Sequence, residues 1–96
     1  MRENIGKASF KVPKGKLITA KVVYGSEIKR VELTGDFFIH PEEGLSVIES
    51  SIEGMPSNAP EEDVAAEVQS AMDANMVQAI GIDASSVAKV VKKAMA

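Results

Sequence analysis

Leu33-Thr34-Gly35-Asp36-Phe37-Phe38-Ile39-His40-Pro41-Glu42-Glu43 is where this chain stops alternating and starts to recur at helical spacing. Upstream, apolar residues repeat every second position. Downstream they repeat every third or fourth. The stretch is therefore a strand end, a turn and a helix start in succession, and the rest of the fold is read outward from it.

Toward the N-terminus, Ile18, Ala20, Val22 and Tyr24 share one face of a run from Leu17 to Tyr24, although Leu17 and Val23 blur the alternation. Ala8 to Val12 alternates around Phe10 and Val12, and Pro13-Lys14-Gly15 ends it with a fixed φ and a permissive glycine. A third run begins at Ile28, with Val31 and Leu33 on one face, after a turn at Gly25-Ser26. Three strands joined by short turns predict an antiparallel meander. Met1 to Gly6 carries no clear signal.

Toward the C-terminus, Pro41 suits the first turn of a helix, and Glu42 and Glu43 complement its positive end. Leu45, Ile48 and Ile52 form its apolar stripe, and Gly54 is its expected C-terminal cap. Pro60-Glu61-Glu62-Asp63 repeats the start chemistry for a second helix that buries Val64, Val68, Ala71 and Met72. Met76, Val77, Ile80 and Ile82 read as an inward-packed connection around Gly81. Asp83 is the expected N-cap of a last helix, with Val87, Val90 and Val91 inward and Lys89, Lys92 and Lys93 toward its end. The reading is a single α+β domain over residues 1–96, with sheet over 8–38 and helices packed on one face over 41–96.

Composition narrows the function. There is no cysteine, so no thiolate is available for nucleophilic, redox or iron–sulfur work and no disulfide staples the fold. A net charge of -3 with both signs interspersed argues against nucleic acid. No apolar run reaches the length of about 18 residues that a membrane helix needs, and no apolar signal region opens the chain. A soluble cytoplasmic protein is expected. Lys and Arg do gather in the first thirty positions, and a solvated face is favoured there over an acidic-partner or nucleotide-facing one.

No motif builds a self-sufficient active site. Thr34-Gly35-Asp36 reads as a turn or bulge of close backbone approach, where Asp36 either caps the turn or holds a ligand. Phe37 and Phe38 point to opposite faces, so one faces the core and the other is exposed, covered by a helix or buried against a partner. His40, the only histidine, reads as a helix-entry residue. Lys14-Gly15-Lys16 is phosphate-friendly only loosely, because it lacks the spacing of a P-loop, and a plain hairpin turn is favoured.

Three segments in this order carry a resemblance. They are Lys14-Gly15-Lys16-Leu17-Ile18 with Ala20-Lys21-Val22, the run from Ile28 through Thr34-Gly35-Asp36-Phe37-Phe38, and Pro41 through Ile52-Glu53-Gly54. Together they resemble the accessory domain of lipoate-protein ligases, and Ala79-Ile80-Gly81-Ile82 before a capped helix is also similar to that family. The resemblance spans nearly the whole chain. Thr34 to Phe38 is its more specific part.

The resemblance implies a fold similar to sulfur-acceptor and iron–sulfur scaffold proteins. It also implies that the chain, starting at Met1 and holding only the accessory region, is the stand-alone small subunit of a split ligase. Such a chain is non-catalytic alone and binds no cofactor alone. With a large catalytic subunit, as a heterodimer, it assists activation of lipoate with ATP and Mg to lipoyl-adenylate, which then modifies lysines of lipoyl-domain acceptor proteins. Thr34, Gly35, Asp36, Phe37 and Phe38 are the expected partner interface, with Lys14 and Lys16 near phosphate. The alternatives are a non-enzymatic binding or scaffold module of the sulfur-acceptor fold, which the absence of cysteine disfavours, and a self-associating α+β domain.

Overall fold

Ile18, Ala20 and Val22 are completely buried while their neighbours in sequence are not, which fixes the sheet's inner face. The computed structural model describes residues 3–13 and 16–96. Strands β1 (Asn4–Lys11), β2 (Leu17–Tyr24) and β3 (Ile28–Gly35) form an antiparallel sheet in the order β1-β2-β3. Val31 and Leu33 extend the buried face on β3, and Ala8 and Phe10 extend it, partly buried, on β1.

A short strand β4 (Phe38–His40) follows, then helices α1 (Gly44–Ile52) and α2 (Glu61–Ala74), a strand β5 (Gln78–Ile80), and helix α3 (Ala84–Ala94). Helix α1 lies against β3, α3 lies against β1 and β2, and α2 packs on both helices. Val64, Val68, Val87, Val90 and Val91 are completely buried between the layers. Each fully buried side chain of this size stabilises the fold by about 1.5–3 kcal/mol before entropy is counted, so this valine-rich seam is the core. The α+β architecture with three helices on one side of a three-stranded meander is the one expected.

Three stretches depart from the sequence reading. Strand β1 begins at Asn4, inside the segment that showed no pattern, because pairing to Tyr24, Val23 and Val22 holds it in place without an apolar face of its own. Gly6 lets α3 come close there: a Cβ at that position would stand 1.7 Å from the Ala94 carbonyl oxygen.

The first helix begins at Gly44, not at Pro41. Residues 41–43 form a turn in which the Gly44 N–H donates to the Pro41 carbonyl at 2.8 Å. Glu42 and Glu43 therefore precede the helix, and Glu43 makes no side-chain capping bond. Pro60 likewise starts α2 with no side-chain cap, but Glu61, Glu62 and Asp63 do occupy its first turn. Helix α1 ends instead with Glu53, extended, as its C-cap, and Gly54, at φ 93°, turns the chain so that its N–H donates to the Ile28 carbonyl at 2.8 Å and not back into the helix. Asp83 caps α3 through the Ser86 N–H at 2.7 Å.

The connection from Met76 to Ile82 is not uniformly buried. Val77 and Ile82 point inward, but Met76 and Ile80 are 83% and 72% exposed. At Ile80 the reason is that residues 78–80 are strand, paired antiparallel to β4, and a strand must alternate; Met76 lies before that strand, in a turn at φ 54°.

The free edge of β3 is closed by α1 and the turn after it. The Ile28 N–H donates to the Met55 carbonyl at 2.8 Å. The Val31 N–H donates to Glu53 Oε2 at 3.4 Å and the Leu33 N–H to Glu49 Oε2 at 2.9 Å. Side-chain carboxylates thus do what a fourth strand would otherwise do.

Candidate functional site

Of the site residues that the sequence singled out, Thr34 to Phe38 and Lys16 lie where β3 leaves the sheet. Thr34 is exposed and pairs with Thr19 across β2. Gly35 follows opposite Ile18 with φ 156°. A Cβ there would stand 2.6 Å from the Leu17 carbonyl oxygen and 3.1 Å from the Ile18 Cα, both rigid backbone atoms. Glycine is what lets the chain turn out of the sheet at this point.

Asp36 then faces solvent and pairs with Lys16, Nζ to Oδ2 at 3.1 Å. Both side chains are more than half exposed, so the pair contributes about 0.2–1 kcal/mol at most. It still ties the hairpin end before β2 to the turn after β3. Lys14 lies outside the described residues.

The two phenylalanines separate by face. Phe37 is partly buried and packs against the core, whereas Phe38 is 76% exposed. Phe38 stands opposite Ile80 in the β4–β5 ribbon, and His40 stands opposite Gln78 on the same outward side. Ile39 and Ala79, the inward pair, are half-buried against the core. Gly81 seats this ribbon: a Cβ there would be 3.2 Å from the Asp36 carbonyl oxygen and 3.4 Å from the Phe37 Cα.

The result is an outward surface of Phe38 and Ile80 side by side, with Met76 exposed two residues before Gln78. Large apolar side chains exposed together mark interaction surfaces more often than single ones do. Ile80 and Met76 were missed by the sequence reading. The signal was present in Met76-Val77-Gln78-Ala79-Ile80, where polar Gln78 shares its parity with Met76 and Ile80 and so marks their face as outward.

The same region holds an open depression of about 450 Å³ lined by Val12, Pro13, Lys16, Ala79, Gly81 and Asp83. Its two charged groups differ in sign, and Lys16 is already paired with Asp36. No group of three or more His, Cys, Asp or Glu side chains that could hold a metal ion occurs among the described residues. Nor does any helix among them have the length and apolarity to cross a membrane. The arrangement can bind a surface. It assembles no nucleophile with a base.

No family model and no curated protein matches the sequence. Among solved structures, the chain is similar to one from the structural analysis of an archaeal lipoylation system, a bi-partite lipoate protein ligase and its E2 lipoyl domain from Thermoplasma acidophilum. The TM-score is 0.74 at 20% identity, over 94% of this chain and 97% of that one. The fold is thus shared, nearly end to end, with a chain of that lipoylation system.

Proposed function

We propose that this chain is the small accessory subunit of a two-component lipoate-protein ligase. The observation that carries the reading is the end-to-end match in fold to a chain from a bi-partite ligase system. The Thr34 to Phe38 run, which resembles the ligase accessory domain, supports it from the sequence side.

In this reading the large subunit holds lipoate and ATP as substrates together with Mg, and the small subunit holds none of them alone. The small subunit acts by docking. Exposed Phe38 and Ile80 enter an apolar recess of the large subunit, and Asp36 with Lys16 borders the contact. The docked pair orders the large subunit's loops and excludes water from lipoyl-adenylate, an intermediate that water would hydrolyse. The adenylate then modifies the lysine of a lipoyl domain.

The rival reading, a scaffold module passing sulfur or clusters, needs thiolates, and the sequence has no cysteine.

The test is lipoyl-adenylate formation from lipoate and MgATP by the large subunit, with and without this chain. Adenylate formed only, or far faster, with both proteins supports the reading. Equal rates with no detectable complex overturn it.

A further inference from the structure

The net charge of -3 conceals a polarity between the layers. Residues 1–40 hold eight Lys and Arg against four Asp and Glu, and residues 41–96 hold three against ten. The first group makes the sheet and the second makes the helices, so the molecule is basic on one side and acidic on the other.

The basic side includes the sheet face that no helix covers. Lys7, Lys11, Lys21 and Arg30 project there, and Glu32, the one carboxylate on this face within β1–β3, pairs with Arg30 at 3.5 Å and leaves the three lysines as its uncompensated charge. Lys7 stands directly opposite Lys21 across the β1–β2 pair. Like charges placed opposite each other weaken a sheet, so the isolated fold gains nothing from this pair. Ile5, 70% exposed, and Leu17, 52% exposed, lie among the cations. A small depression of about 110 Å³ lined by Ile5, Lys21, Val23, Arg30 and Glu32 has room for one side chain of a partner.

We propose that this open face of β1–β3 docks an acidic protein surface. Resting on the reading above, that surface belongs to the acceptor domain whose lysine is modified. The two candidate surfaces differ in the way two kinds of partner require. A partner that stays is held by apolar anchors such as Phe38 and Ile80. An acceptor that must arrive and leave at each turnover is served by charge, which raises the rate of encounter without demanding tight binding. The acidic helical layer disfavours approach from the other side and so orients the acceptor. A nucleic acid fits less well, because the face presents no aromatic side chain for stacking and the helical layer repels a polyanion.

The experiment uses the two-subunit complex with the apo lipoyl domain of the source organism's own 2-oxoacid dehydrogenase as probe. Binding is measured at about 50 mM and 300 mM salt, where screening differs strongly, for wild type, for Lys7→Glu and for Lys7→Glu/Lys21→Glu. The single variant places opposite charges across the strand pair and so tests the face without risk to folding. Expected results are affinity weakened about tenfold in the double variant, a higher KM for the acceptor, and loss of most of the salt dependence. Adenylate formation stays at the wild-type rate.

Unchanged acceptor affinity in both variants overturns the proposal. So does loss of adenylate formation in step with dissociation of the large subunit, which would assign the face to that protein. Tighter binding of a 20-base-pair duplex (about two helical turns) than of the acceptor overturns it as well. Adenylate formation that never needs this chain instead overturns the ligase reading, and the adenylate measurement separates that failure from the others.

Discussion

The Leu33 amide donates to Glu49 Oε2 at 2.9 Å, so a carboxylate of α1 occupies a place on the β3 edge that a neighbouring strand's carbonyl would normally take. Partial burial raises the Glu49 carboxyl above its ordinary value of 4.5, the Leu33 N–H opposes that rise, and the nearby Glu32 and Glu53 charges add to it. The folded chain therefore binds this proton more tightly than the unfolded chain does.

The sign of the pH effect follows. Glu49's contribution to stability is greatest below 4.5 and declines as pH rises through the raised folded value. Glu49→Gln keeps an acceptor for the Leu33 N–H and removes the titration. Denaturant melts of the two proteins between about pH 3.5 and 7 should show the variant gaining on wild type across that window and then running parallel. A constant difference at every pH would contradict the burial argument.

Gly35→Ala should destabilise the fold by about 1–3 kcal/mol, because the added methyl meets backbone that cannot move aside. For a domain of this size that lowers Tm by at least about 4 °C. An unchanged melting curve would mean that the exit from β3 is less constrained than its contacts require.

Phe38→Ala and Ile80→Ala should separate stability from binding. Both side chains are largely exposed, so unfolding free energy should change by no more than about 0.5 kcal/mol. Affinity for the large subunit should fall by about 2 kcal/mol or more for an anchor residue, read by titration calorimetry. Equal affinity in both variants would remove the ribbon as the docking surface.

Asp36→Ala should impair adenylate formation less than Phe38→Ala, since it breaks only an exposed ion pair with Lys16. Its effect on stability should stay within about 1 kcal/mol. A larger activity loss at Asp36 than at Phe38 would make the polar contact the anchor.

What could be read from the sequence was whatever the chain specifies locally. Ile18, Ala20 and Val22 announced β2, and Asp83 announced α3, because alternation and a capping carboxylate are short-range signals. Asn4 to Gly6 could not be read, because what makes it strand is the partner opposite and the carbonyl of Ala94 above. Pro41 misled for a related reason: the residue types of a helix start equally suit the turn that precedes one. At the candidate site, the separation of Phe37 from Phe38 followed from the two-residue period. Which of the two faces outward depended on β5, which arrives only after two helices.

That late arrival has a consequence for motion. The ribbon carrying Phe38 and Ile80 is joined by three residue pairs, against eight between β1 and β2, and its two strands come from far apart in the chain. Local opening of such an element costs less than opening the meander. Amide protons of residues 38–40 and 78–80 should therefore exchange before those of β2. A partner that buries Phe38 would clamp the ribbon shut, and the docking event would then be recorded as protection gained at the most easily opened strands of the molecule.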